Sequence, residues 1–215
     1  MTRPRVWVVG AGGHAKVVVD LIRAMDADTI AGVLDDDPAR WGSTVLGVAV
    51  SGPATLEVVT RLGVDRAVLA VGCNRARAAL AARFDGRITW AIAVHPKAVV
   101  AADAHIGRGA MVCAGAVIQS GATVGINTII NTSSSVDHDS AVGDFAHLAP
   151  GVHLGGGVTV GEGAMIGLGS VILPGRSVGA WATVGAGAVV VRDIPGGAVA
   201  IGLPARSRPP KTNPE

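Results

Sequence analysis

From residue 100 onward an aliphatic side chain returns at every sixth position: Val100, Ile106, Val112, Ile118, Val124, Ile130, Val136, Val142, Leu148, Leu154, Val160, Ile166, Ile172, Val178, Val184 and Val190. Sixteen positions keep this phase without a slip. Glycine often follows, as in Ile106-Gly107, Val124-Gly125, Val142-Gly143, Val160-Gly161 and Val184-Gly185, and the fifth place of each unit is mostly Ala, Ser, Thr or Val. A period of six predicts a parallel β-helix: each hexapeptide supplies a short strand and a turn, and three make one triangular coil. Successive coils then stack at the strand spacing of roughly 4.8 Å. The aliphatic residue points inward, the small fifth-place residue fills the remaining interior, and Gly or Asn, such as Asn127, takes turn positions with unusual backbone angles.

Before that the rhythm is different. Val6 to Val9 reads as a strand, His14 to Met25 as a helix with Val17, Val18, Leu21 and Ile22 on one side, and Ile30 to Leu34 as a second strand ended by Asp35-Asp36-Asp37-Pro38. A helix from Pro53 to Arg61, a strand at Ala67 to Val71 and a helix at Arg75 to Arg83 follow. Alternation of this kind implies a short parallel sheet with helices packed on it, half of a Rossmann-like domain. The expected organisation is therefore an α/β domain over residues 1–96 and a β-helix with a C-terminal tail over 97–215.

Composition sharpens this picture. There is no tyrosine and there are two phenylalanines, yet 49% of the residues are apolar, accompanied by 31 glycines. A core without aromatics favours regular stacked layers of small branched side chains. The formal charge of +2 and the absence of any basic run give no sign of nucleic acid. Cys73 and Cys113 stand in no metal or redox spacing, and nothing asks for an oxidising compartment. No apolar segment approaches membrane-spanning length without interruption, so a soluble, cytoplasmic protein is expected.

Two places carry candidate chemistry. Gly10-x-Gly12-x-x-Ala15 after a strand lets phosphate oxygens approach the backbone and the amides of the next helix. Asp35 or Asp36 is then placed to accept hydrogen bonds from a ribose or base. Fewer than a hundred residues precede the coils, room for a mononucleotide diphosphate and not for NAD; the competing reading is a tight turn with a solvated acidic loop. The second place is His138, at the third position of its hexapeptide, where side chains face outward near a corner. An ammonium must lose a proton before its nitrogen attacks a thioester, and imidazole is the side chain best poised to take it. Gly156 lies eighteen residues on, three hexapeptides later, where a backbone N–H is available to a developing oxyanion. The plain alternatives are an exposed turn histidine and, for Gly155-Gly156-Gly157, a tight corner.

Four segments carry a family resemblance: Gly10-Ala11-Gly12-Gly13-His14, Leu34-Asp35-Asp36, Asn131 to Asp139 around Val136-Asp137-His138-Asp139, and Gly202-Leu203-Pro204-Ala205-Arg206. With the coils, they resemble the bacterial sugar O- and N-acyltransferases related to sialic acid O-acetyltransferase, one branch of which acetylates nucleotide-linked 4-amino-4,6-dideoxy sugars. The resemblance implies a left-handed parallel β-helix, against the usual crossover rule, with acetyl-CoA as co-substrate and no metal. It implies that His138 is the general base and that Asp139 enhances its basicity. His147, Gly156, Leu168, Gly185, Ala186 and Arg206 fall at matched acetyl-CoA positions, and Gly12, Gly13, His14, Asp35, Asp36 and a Gly-Asn turn at Gly72 at nucleotide-sugar positions. It implies a homotrimer, with acetyl-CoA in a groove between coils. Trp181 is expected to face outward, toward adenine or a neighbouring subunit.

The expected reaction is acetyl transfer from acetyl-CoA to the amine of a nucleoside-diphosphate-linked 4-amino-4,6-dideoxy sugar, serving surface glycans such as lipopolysaccharide. O-acetylation of a sialic acid is the alternative within enzymes. A γ-class carbonic anhydrase would need histidines converging on zinc, and His147 and His153, six apart, belong to different faces. A non-catalytic scaffold leaves His138 and the nucleotide turn unexplained.

Overall fold

The computed structural model describes residues 3–208 and divides into two compact units, Met1–Pro96 and Lys97–Glu215.

In the first unit, β1 (Arg5–Val9), β2 (Thr29–Leu34) and β5 (Arg66–Leu69) form a parallel sheet with β6 (Thr89–Trp90), in the order β2-β1-β5-β6. Helices α1 (Gly13–Met25), α2 (Leu56–Leu62) and α3 (Asn74–Arg83) alternate with the strands, and β3 (Thr44–Val45) and β4 (Val48–Ala49) form a small antiparallel hairpin. Val18, Leu21 and Ile22 of α1 are buried as their spacing requires, whereas Val17 is 41% exposed and lies outside that stripe. Helix α2 begins at Leu56 and not at Pro53, because Thr55 is its cap and its hydroxyl accepts from Val58 N at 3.3 Å. Strand order reverses around β1, so the crevice at the carboxyl ends of β1 and β5 is the place where such sheets take ligands.

The second unit is a parallel β-helix whose two-residue strands stack on three faces. One face contains Met111–Val112, Ile129–Ile130, His147–Leu148, Met165–Ile166 and Thr183–Val184. The next runs from Val99–Val100 through Ser135–Val136 and His153–Leu154 to Val189–Val190. The third runs from His105–Ile106 to Ser177–Val178. Up to Val190 each strand residue pairs with the one eighteen positions on, as Ile118 with Val136 and Val136 with Leu154, whereas the last coil is two residues shorter and pairs Val178 with Ile194 and Val184 with Ala200. The period-six aliphatics from Val112 to Val190 are all buried; Val100 and Ile106, in the first coil, are half-buried. The last strands, Val199–Gly202 and Ala205–Arg208, close the stack as an antiparallel pair.

Glycine plays two separate parts here. The fourth place of most hexapeptides lies in the left-handed region, held by Gly115, Gly121 and Gly157 but also by Asn127, Ser133, Asp139, Phe145 and Trp181. The glycines after the aliphatic residue answer a different need. Gly107, Gly125, Gly143, Gly161 and Gly179 form one column at one corner, eighteen apart, and a Cβ on each would come within 2.3–2.8 Å of the next coil. They permit the coils to approach. The Cβ of an alanine at Gly161 would meet the Ala180 amide at 2.4 Å, and backbone cannot step aside. Gly161→Ala should therefore destabilise the β-helix by about 1–3 kcal/mol, read from denaturant unfolding followed by circular dichroism.

Candidate active site

His138 sits at a corner of the coil, in the turn after Ser135–Val136. Its place is set by the backbone: His138 N donates to Asp137 Oδ1 at 2.8 Å, while its carbonyl accepts from Gly157 N at 2.9 Å. Asp139 occupies the left-handed position of the turn, φ 58°, and that kink turns its carboxylate back toward the preceding ring. His138 Nδ1 and Asp139 Oδ2 are 2.9 Å apart. A neutral imidazole must carry its proton on Nδ1 to donate to that carboxylate, which leaves the lone pair on Nε2.

Both partners rest against glycines. A Cβ on Gly156 would lie 2.5 Å from His138 Nε2 and Cε1, and one on Gly121 would lie 2.7 Å from Asp139 Oδ1. The ring thus lies over the following coil and the carboxylate over the preceding one. The three consecutive glycines differ in purpose: at Gly155 a side chain would strike the Pro174 ring, Gly156 makes room for the imidazole, and Gly157 takes the left-handed turn at φ 67°. The Gly155 and Gly157 amides donate to Ile172 O and His138 O. Among the described residues the Gly156 N–H has no backbone partner. Beneath the corner, Ser140 Oγ donates to Gly155 O at 3.1 Å and accepts from Val158 N at 3.1 Å.

The hydrogen bond to Asp139, followed by the charge of Asp137, holds the His138 imidazole above its ordinary pKa.

His147 lies on a face and not at this corner. It is 8% exposed, with Nε2 3.1 Å from Asn131 Nδ2. Leu168, Gly185 and Ala186 belong to another corner, where Gly169 N donates to Pro150 O and Gly187 N to Leu168 O. Leu168 is 57% exposed there, and a Cβ on Gly185 would meet Ile201 Cγ2 at 2.8 Å. Arg206 is exposed on the terminal hairpin, opposite Ile201. Trp181 is only half exposed, because its indole lies on Gly163, where a Cβ would come within 2.3 Å of the ring. His153 bonds Ser135 through Nδ1 at 2.9 Å on a different face from His147. No group of three or more His, Cys, Asp or Glu able to hold a metal occurs among the described residues, and no helix there is long and apolar enough to cross a membrane.

In the α/β unit, Gly12 precedes α1 and Gly13 opens it, and space around both is open, with no atom within 4 Å of a Cβ built on either. The two aspartates have separate tasks. Asp35 accepts from Ala11 N at 2.5 Å and Asp37 N at 2.8 Å, tying the glycine turn to the loop after β2. Asp36, more exposed, accepts from Ala54 N at 3.0 Å and Arg83 Nη1 at 2.7 Å. A cavity of about 160 Å³ opens here, lined by Val9, Gly10, Leu34, Asp35, Asp36, Ala54, Val71 and Leu80. Behind it lies Arg77, fully buried, donating to Val71 O at 2.9 Å, Gly72 O at 3.3 Å and Asn74 Oδ1 at 2.9 Å. Burial lowers its pKa to about 10. Burial, reinforced by the Arg77 charge, lowers that of His14 to about 4, so His14 is neutral at physiological pH. Arg40, which donates to Ala11 O at 2.8 Å, and Arg77 and Arg83 were not singled out from the sequence, since their partners lie in other turns.

Over nearly its whole length the chain is similar to solved enzymes. Perosamine N-acetyltransferase from Caulobacter crescentus, solved with CoA and GDP-perosamine, is 41% identical, covers 96% of this chain and 98% of its own, and superimposes with a TM-score of 0.90. The chain belongs to the left-handed β-helix sugar acyltransferases. The acetyltransferase domain of PglB from Neisseria gonorrhoeae FA1090, in complex with acetyl coenzyme A, is another such relative, 35% identical over 96% of this chain and 100% of its own, with a TM-score of 0.88. Residues 5–84 match the PglD N-terminal domain. A curated family member, UDP-N-acetylbacillosamine N-acetyltransferase of Bacillus subtilis (strain 168), is 39% identical over 108 residues, and the aligned stretch spans half of each protein.

Within this acyltransferase, replacing Asp139 by Asn exchanges the ionised acceptor of the hydrogen bond that most raises the His138 pKa for a neutral, weaker one. Asp139→Asn should lower that pKa, and an NMR titration of the imidazole against pH reads the shift directly.

Proposed function

We propose that this protein transfers an acetyl group from acetyl-CoA to the amine of a nucleoside-diphosphate-linked 4-amino-4,6-dideoxy sugar. The observation that carries the reading is the corner where His138 Nδ1 is tied to Asp139 and Nε2 lies over Gly156. The likeness to enzymes solved with CoA and an amino-sugar nucleotide supports it. His138 Nε2 takes one proton from the sugar ammonium and passes it to solvent; the freed amine bonds to the thioester carbonyl carbon, gives up a second proton to His138, and the carbon–sulfur bond breaks. The proton then passes from His138 to the departing thiolate. Asp139 keeps the Nδ1 proton in place and stabilises the imidazolium, and the Gly156 N–H serves as donor to the thioester oxygen. A base held above its ordinary pKa accepts protons more strongly but stays protonated to higher pH, so the rate rises with pH through that value.

The exposed Leu168, with Ala186, Gly185 and Arg206, receives the coenzyme in this proposal, and His147 shapes that wall through Asn131. The nucleotide lies in the α/β unit: the diphosphate at Gly12 and Gly13, beside neutral His14 and the Gly72 turn that Arg77 clamps, and the nucleoside at Asp35 and Asp36. The relatives are described with guanosine- and uridine-linked sugars, so the base is a separate question. A sugar amine rather than a hydroxyl is the acceptor because the named relatives are N-acetyltransferases.

A panel of nucleotide-linked amino sugars with acetyl-CoA, followed by thiol release, tests the reading, and two variants separate its parts. His138→Asn should cut turnover by roughly 10²–10⁴-fold with acetyl-CoA binding kept. Gly12→Val places a side chain in the open space of the turn, and should raise KM for the sugar nucleotide with little change in that for acetyl-CoA. Near-normal turnover in the first, or an acetyl-CoA defect in the second, would sink the assignment.

A homotrimer completes the proposal. One face of the coils carries Val99, Val117, Val171 and Val189 outward, with Val99 62% exposed, and a closed ring of three copies would cover them. Sedimentation equilibrium should give three times the chain mass; a monomer at enzyme-active concentration would refute this.

A further inference from the structure

Asp36 lines not only the inner cavity but also an outer cleft of about 540 Å³, whose walls include Pro38, Trp41, Pro53, Leu56 and Arg83. The cleft begins where β2 ends, beyond the carboxyl edge of the sheet, and so continues the crevice that would hold the ribose. Trp41 is 44% exposed there, yet its indole is fixed, because Nε1–H donates to Asp35 O at 2.8 Å. A tethered, exposed indole is a stacking platform that loses little freedom when a flat ring settles on it. The only carboxylate lining the cleft is that of Asp36, and Arg83 Nη1 lies 2.7 Å from its Oδ2.

We propose that the cleft at Asp36, Trp41 and Arg83 is the nucleobase pocket and that it selects guanine. The inference rests on the assignment of a nucleoside diphosphate to residues 1–96. An ionised carboxylate only accepts hydrogen bonds and has about four lone-pair sites on its two oxygens. In Asp36 one oxygen takes Ala54 N and the other takes Arg83, which leaves acceptor capacity on both, on a side chain 47% exposed. Asp35 is different, since its two oxygens are already drawn inward by the Ala11 and Asp37 amides. Guanine presents two adjacent donors, N1–H and the N2 amine, beside the acceptor O6. Those donors match the two carboxylate oxygens, and O6 falls to the guanidinium of Arg83. Uracil presents a single N3–H between two carbonyl oxygens, so one carboxylate oxygen would face an acceptor. Adenine offers an acceptor at N1, and its ring nitrogen would confront the carboxylate directly. The indole stacks with any of these rings; the Asp36–Arg83 pair discriminates among them.

Calorimetry on the full chain with GDP, UDP and ADP tests this. GDP should bind about 10- to 100-fold more tightly than UDP, the worth of one or more hydrogen bonds to a charged group, and ADP should bind most weakly. Asp36→Asn replaces one acceptor by a donor and should remove most of the preference for GDP over UDP, whereas Trp41→Ala should weaken all three together. UDP binding as tightly as GDP, or a preference that survives Asp36→Asn, overturns the guanine assignment while leaving the nucleotide site intact. Binding of none of the three overturns both. Should Asp36→Asn fail to fold, as thermal unfolding would reveal, the wild-type order of affinities still decides.

Discussion

The eighteen-residue register of the coils is the constraint on which the reactive corner depends. Parallel pairing puts every residue beside its counterpart in the next coil, so a large side chain leaving a corner must find space there or displace backbone. His138 finds it at Gly156, Asp139 at Gly121 and Trp181 at Gly163. None of these contacts lies within one turn. Each arises because the hydrophobic period fixes which residues become vertical neighbours, and glycine at the receiving position lets the visiting side chain settle against main chain. The His138 imidazole is thereby placed by the packing of the solenoid, not by a loop that must be ordered separately.

The α/β unit solves its problem by other means. Asp35, Arg40 and Arg77 all bind main-chain groups of neighbouring turns: Asp35 takes the Ala11 amide, Arg40 the Ala11 carbonyl, and Arg77 the Val71 and Gly72 carbonyls. Three charged side chains therefore act on backbone and hold two turns in shape, which keeps the amides beside Gly12 open. Asp36 and Trp41 are left with exposed surface on the same loop. Adjacent aspartates of identical chemistry differ because one is half-buried and braces the turn, while the other keeps exposed acceptor surface.

Much of this was legible in the sequence, for reasons that can be located. The coils were readable because one side chain in six is forced inward; strands β1, β2 and β5 and their helices because each carries a short apolar run or stripe. The hairpin at Thr44–Val45 and Val48–Ala49 was not, since two-residue strands leave no periodicity. The proximity of His138 to Asp139 could be expected only if a corner intervened, and the left-handed Asp139 supplies that corner. Arg40, Arg77 and Arg83 could not be read, because an arginine's spacing says nothing about which distant carbonyl or carboxylate it will meet. The outward reading of Trp181 missed its glycine partner for a related reason: the eighteen-residue offset was visible, but the direction in which the indole would lie was not.

The column of glycines at Gly107, Gly125, Gly143, Gly161 and Gly179 bears on how such a chain can change length over evolutionary time. Along that edge the coils are in backbone contact, so there is no gap through which an inserted loop can leave the stack. Away from that edge a change is tolerated: the last coil is two residues short after Val190, with Val178 paired to Ile194 and Val184 to Ala200, and Ile194 and Ala200 are still buried. Growth is then confined to whole coils, or to excursions at the two remaining edges. Duplication in units of eighteen residues preserves both the inward phase and the glycine edge, so the whole coil is the unit in which the interior of the stack can lengthen.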